Sequence, residues 1–159
     1  MGEVLKKWLK YKNDPGLREE TVLNLMVASS ILNGYYEKIF EKFGITATQY
    51  NVLRILKGAY PEGHPRCEID LRMIERASDI TRLTDRLEAM GYVKRMKSGK
   101  DRRMSITMIT KAGLNLLDRI TPVIVNSHKE TTRNLSDREC KLLSELLEKI
   151  YGDKIQEII

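Results

Sequence analysis

The chain has 159 residues, 42% of them hydrophobic and 31% charged, with a formal net charge of +6. That length and apolar fraction suit a folded domain with its own core and exclude a disordered tail. The positive balance suits an anionic partner, although net charge alone names none.

The opening stretch, MGEVLKKWLKYKNDPG, holds no apolar run of the kind a secretory leader needs. Gly2 is not followed by Ser or Thr at the myristoylation position, where Lys6 stands. No later segment approaches about 18 consecutive apolar residues, so no membrane partner is expected. Cys67 and Cys140 are far apart and form no CxxC pair, which argues against a zinc knuckle or a disulfide framework. A reducing, cytoplasmic setting fits two isolated thiols.

After the NDPG turn, Val22, Leu25, Met26, Ser29, Leu32, Tyr36, Ile39 and Phe43 recur at steps of three and four. That spacing predicts one long helix ending near Gly44. Thr46 and Gln49 in TATQ have the spacing of a capping box, which starts a second helix with Tyr50, Leu53, Leu56 and Ile55 inward and Gly58 as its stop. AYPEGHPR reads as a loop. CEIDLRMIERA reads as a short helix with Ile69, Met73, Leu71 and Ile74 inward. Ser78 is the expected cap of the next helix, DITRLTDRLEAM, which Gly91 closes. Its buried stripe is read as Ile80, Leu83, Leu87 and Met90. Asp79, Arg82 and Arg86 fall on the opposite face, with Thr81 and Asp85 beside them.

YVKRMK and RMSITMIT are strand-like runs around SGKD, where Gly99 supplies a permissive hairpin tip. Thr110 is the expected cap of a further helix carrying Leu114, Leu117, Ile120 and Ile124, which Pro122 should kink or break. Ser136 and Glu139 form a second capping-box pattern, opening a last helix with Leu142, Leu143, Leu146, Leu147, Ile150, Tyr151, Ile155 and Ile158.

The charge is concentrated. Between Tyr92 and Arg103 stand Lys94, Arg95, Lys97, Lys100, Arg102 and Arg103 against the single acid Asp101, a net +5 of the chain's +6. Two short helices, the second with a polar outer face, followed by a basic hairpin, are the parts of a winged helix-turn-helix. The expected fold is mainly α with a small β-hairpin wing. A helix of this kind fits the major groove of B-DNA, about 12 Å wide, and Arg can bridge guanine O6 and N7. The expected contacts to double-stranded DNA are Ser78, Asp79, Thr81, Arg82, Asp85 and Arg86 on the helix. On the wing they are Arg95, Lys97, Lys100, Arg102 and Arg103, with Asp101 pairing with Arg103 and fixing its side chain.

ITATQYNVLRIL, DITRLTDRLEAMGYVKR and DRRMSITMITKAG together resemble the MarR family of bacterial transcription regulators. The family's wing pattern is Asp, any residue, Arg, five residues, Leu, Thr. Here it reads Asp101, Arg103, Ile109 and Thr110, with Ile in place of Leu. The resemblance implies a homodimer on a pseudo-palindromic operator, usually a repressor, often released by a small ligand. It also implies a recognition helix starting near Asp79 and a minor-groove role for Arg103. The link KGAYPEGHPR and the helix text IDLRMIERAS depart from the family's usual short link and its LA pair.

The expected division is residues 1–45 as an N-terminal dimerisation helix, 46–110 as the DNA-binding lobe and 111–159 as C-terminal dimerisation helices. Packing of the terminal helices over the lobe of the same chain is the alternative. Tyr35, Tyr36 and Tyr50 are candidates to line an aromatic ligand pocket, or else core residues with hydroxyls at the surface. A peroxide-sensing branch of the family uses a Cys in the first helix, where this chain has none. With only His64 and His128, and no His pair at helical spacing, neither a metal site nor another cofactor is expected. There is no Gly-rich phosphate loop, HExxH or GxSxG, so no enzyme is expected. A protein-binding winged helix without DNA specificity is the competing function.

Overall fold

A computed structural model of the chain describes residues 2–12, 16–74, 79–97 and 105–156, with only the backbone of Lys154 and Gln156. The elements run α1 (Glu3–Leu9), α2 (Leu17–Glu41), α3 (Ala47–Gly58), β1 (His64–Pro65), α4 (Arg66–Leu71), α5 (Ile80–Ala89), β2 (Val93–Lys97), β3 (Ser105–Ile109), α6 (Lys111–Thr132) and α7 (Asp137–Gln156). The fold is mainly α with a small antiparallel sheet, as the sequence predicts. It divides into two compact units, Met1–Gly44 and Ile45–Ile159.

In the first unit, α1 is an addition to the sequence reading. It ends at Lys10, which takes a left-handed conformation. The Gly2 backbone N–H donates to Glu20 Oε1 at 2.6 Å, and the Tyr11 hydroxyl donates to Glu19 Oε1 at 2.7 Å. These bonds tie the chain on both sides of α1 to the first turn of α2. Along α2 the expected apolar face is uneven. Ile39 and Phe40 are buried, whereas Val22 and Met26 are exposed.

In the second unit, α3 begins with the predicted capping box. Gln49 N donates to Thr46 Oγ1 at 3.1 Å, and Thr46 N donates to Gln49 Oε1 at 2.9 Å. Two helix-start amides are thereby satisfied. Tyr50, Val52, Leu53 and Leu56 are buried, and Ile55 is half-buried. The link after α3 is not only a loop. His64 and Pro65 pair antiparallel with Thr107 and Ile106, giving a three-stranded sheet in the order β1-β3-β2. Gly63 makes that approach feasible, with φ 77° and no room for a Cβ against the Thr107 carbonyl.

Helix α4 is shorter than expected. Ile69 and Met73 are buried, but Leu71, on the outer side of the last turn, and Ile74, beyond the helix end, are exposed. Helix α6, in contrast, runs through Pro122 unbroken. Proline removes one backbone donor, while Leu116, Leu117, Ile120 and Ile124 bury a continuous stripe on both sides of it. Thr110 caps α6 by accepting from Gly113 N at 3.2 Å, and Ser136 with Glu139 forms the capping box before α7.

Candidate nucleic-acid interface

Helix α5 is anchored by its buried face. Ile80, Thr84 and Leu87 are buried, whereas Leu83 is half-buried and Met90 exposed. The predicted stripe is thus rotated to include a threonine. Thr84 tolerates burial because its hydroxyl lies 3.0 Å from the Ile80 carbonyl and 2.9 Å from that of Thr81. The cap also differs from expectation. Asp79, one residue after Ser78, caps the helix and accepts from Arg82 N at 2.9 Å. Ser78 itself lies outside the described residues.

Arg82 and Arg86 are exposed and one turn apart on α5. Thr81 is exposed at the first turn, and its Oγ1 accepts from Arg66 Nη1 at 2.7 Å. Arg66 opens α4 and is also exposed. It is a basic residue beside the first turn of α5, at the end of the stretch AYPEGHPR that reads as a loop in the sequence. The signal available was its position immediately before a helix of the pair. Asn51 Oδ1 on α3 accepts from Ile74 N at 2.9 Å, which fixes the chain leaving α4.

The hairpin has the expected antiparallel form. Val93, Lys94, Arg95, Met96 and Lys97 face Ile109, Met108, Thr107, Ile106 and Ser105 in turn. Thr107 and Ile109 are buried, and Ile106 and Met108 half-buried. Lys94 and Lys97 are exposed, so the described base of the wing presents cations to solvent. Lys100, Asp101, Arg102 and Arg103 lie outside the described residues.

Arg95 behaves differently from the lysines. Its guanidinium reaches into α5, with Nη2 at 2.6 Å from Thr84 Oγ1 and 2.5 Å from Asp85 Oδ1. Glu88 Oε2 lies 3.7 Å from its Nε. Both Arg95 and Asp85 were expected at DNA, and both have partners within the lobe.

The three tyrosines do not form one cluster within either unit. Tyr35 and Tyr36 meet edge to face at 5.6 Å in the first unit, and Tyr36 stacks on Phe40 at 6.5 Å. Tyr50 belongs to the second unit, where Arg54 lies 5.9 Å over its ring. Among the described residues no group of three or more His, Cys, Asp or Glu could hold a metal ion. Likewise, no described helix is long and apolar enough to cross a membrane.

The two-helix and hairpin geometry has close counterparts. The family model described as MarR family matches residues 45–105. A MarR transcription factor from Planctomyces limnophilus is 34% identical, covering 86% of this chain and 98% of its own, with a TM-score of 0.67. The chain belongs to the MarR family. Members of this family are DNA-binding transcription regulators rather than enzymes. The chain is also 28% identical to the HTH-type transcriptional regulator PapX of Escherichia coli, over 94% of each chain. A mutant MarR from Escherichia coli complexed with operator DNA shares the fold at a TM-score of 0.72 and 24% identity, covering 79% of this chain and 89% of that one.

Proposed function

We propose that this MarR-family protein is a cytoplasmic repressor that binds a pseudo-palindromic operator as a homodimer. The observation that carries the reading is the exposed Arg82 and Arg86 pair on α5, next to a hairpin whose sequence holds most of the net charge. Arg82 and Arg86 read base edges in the major groove, with Thr81 and Ser78 at the helix start. Asp79 keeps the helix start capped, and Asp85 lies at the edge of the same face. Lys97, Lys100 and Arg102 neutralise phosphates. Arg103, aimed by Asp101, enters the minor groove.

The dimer rests on the terminal helices. On α7, Leu142, Leu143, Leu146, Ile150, Tyr151 and Ile155 are each 41–53% exposed. With the half-buried Leu147 they fall in two rows at i,i+4 spacing, a contiguous apolar stripe of the kind another helix covers. The proposed occupant is a second copy, which would set two recognition helices about one turn of DNA apart.

A small aromatic acid or phenol is the proposed releasing ligand, and the Tyr35 and Tyr36 edge contact supports an aromatic site on α2. Such a ligand acts only if it prefers the free form to the DNA-bound form. The deciding experiment is fluorescence anisotropy on the duplex upstream of the protein's own gene, with a scrambled duplex of equal composition and a salt titration. Tight, salt-dependent binding to the native duplex alone supports the reading. Absence of binding to either duplex at low salt overturns it in favour of a protein-binding module. An aromatic panel that changes neither operator affinity nor melting temperature overturns the ligand.

A further inference from the structure

We propose that Arg95 is a positioning residue that sets the rotation of the recognition helix, and not a DNA contact. This rests on the reading of α5 as that helix. The guanidinium and backbone of Arg95 engage four residues of α5. Nη2 donates to Thr84 Oγ1 at 2.6 Å and approaches the Thr81 carbonyl at 3.4 Å. It also lies 2.5 Å from Asp85 Oδ1. Glu88 is held twice, through its Oε2 at 3.7 Å from Nε and its Oε1, which accepts from Arg95 N at 3.0 Å.

The spacing of these partners carries the argument. Positions 81, 84, 85 and 88 form one stripe of a helix. A single fork therefore grips about two turns of α5 along one line. The groups that would read DNA, Arg82 and Arg86, directly follow Thr81 and Asp85 in the chain. Each residue turns the helix by about 100°, so fixing one stripe fixes the direction of the next. The other end of the clamp is built into the sheet. Arg95 lies on β2 opposite the buried Thr107 of β3. Thr84 is only 3% exposed, and the Arg95 side chain 29%. A cation turned towards phosphate would be solvent-facing and free of acids. This one has Asp85 and Glu88 as near neighbours, whose charges oppose a phosphate. The wing strand and the recognition helix are thereby coupled through one side chain.

The test is anisotropy on preferred and scrambled duplexes, with salt titrations, for the wild type and for Arg95→Met, Arg95→Lys and Asp85→Asn. The expected result for all three variants is a loss of preference for the native duplex by about tenfold. The salt slope is expected to stay at the wild-type value, because no phosphate contact is removed. Lysine keeps the charge but lacks the planar fork, so it does not rescue. Asp85→Asn is the sharpest arm. Removing an acid near DNA should raise affinity for every duplex unless the acid holds Arg95. A generally weakened fold would lower binding to both duplexes alike and leave the preference intact. If Arg95→Met does not fold by circular dichroism, the lysine and asparagine variants carry the test. Wild-type preference in Arg95→Lys, or a slope shallower by about 0.9 in Arg95→Met, overturns the positioning role. A wild-type protein with no preference between duplexes overturns the regulator reading instead.

Discussion

Gly63 lies so close to the backbone of Thr107 that any side chain at position 63 would overlap the Thr107 carbonyl. Thr107 is also the strand neighbour of both His64 and Arg95. One residue of β3 thus joins the link after α3 to the wing. Gly63→Ala combines this overlap with a left-handed φ. We expect a destabilisation of about 2–4 kcal/mol. For a chain of this size that lowers the melting temperature by roughly 5–15 °C. A melting curve within 2 °C of wild type, about the smallest shift this scale assigns to 1 kcal/mol, would count against the close approach.

Gly113 and Gly58 make a contrasting pair in helices. A Cβ at Gly113 would meet the Tyr92 carbonyl and the Ile109 side chain, whereas nothing lies within 4 Å of one at Gly58. Gly113→Ala should destabilise by about 1–3 kcal/mol through overpacking. Gly58→Ala should stabilise by up to about 1 kcal/mol through helix propensity. Urea unfolding midpoints would check the opposite signs.

Arg82 and Arg86 are expected to show their roles base by base. Ala at either position should cost about 1–3 kcal/mol at one base pair of the preferred site and relax the preference there. Binding to scrambled DNA should change little. Equal losses on both duplexes would mean that the residue contacts phosphate, not a base.

The α7 stripe predicts its own disruption. Leu146 and Ile150 are 47% and 48% exposed, so acids at both sites are compatible with a folded single chain. Leu146→Glu with Ile150→Glu should give a monomer by light scattering, with helical content retained and operator affinity lost. Persistence of the wild-type mass would place the dimer contact elsewhere.

His64 provides a pH dependence. Burial lowers its pKa below the ordinary value of 6.5, and the positive charge of Arg72 lowers it further, while Glu68 acts in the opposite sense. The unfolded chain therefore takes up the proton first as pH falls. The stability contributed by neutral His64 is complete above pH 6.5 and is lost below it, down through the folded-state value. Melting temperatures between pH 8 and 5, the range in which an ordinary histidine titrates, should fall less steeply in His64→Gln than in wild type. Parallel curves would remove His64 as the source.

Local patterns in the sequence carried the helix starts. A capping box involves four consecutive residues, so Thr46 with Gln49 and Ser136 with Glu139 are legible without tertiary information. The two-residue strand β1 is not, because His64 and Pro65 show no period and their pairing partner is distant. Helix α5 was legible as an element, but its inward face was assigned by hydrophobicity. Thr84 displaces Met90 there because hydrogen bonds make a hydroxyl burial-compatible. Charge type located the wing, but it could not separate Arg95 from Lys97. That distinction depends on Asp85 and Glu88 from another element. Pro122 does not end α6, because the stripe that the helix buries on both sides of it offsets the lost donor and the crowding of its ring.

The two residues of β1 also govern how the sheet ends. A strand edge left open is a template on which another molecule can add a strand and begin aggregation. In this sheet β1 covers part of the outer edge of β3, opposite Ile106 and Thr107. Its length offers little purchase to a newcomer, and Pro65 has no N–H to give one. The link after α3 thus ends in a stopper, a two-residue strand that closes part of the sheet edge without offering a new one.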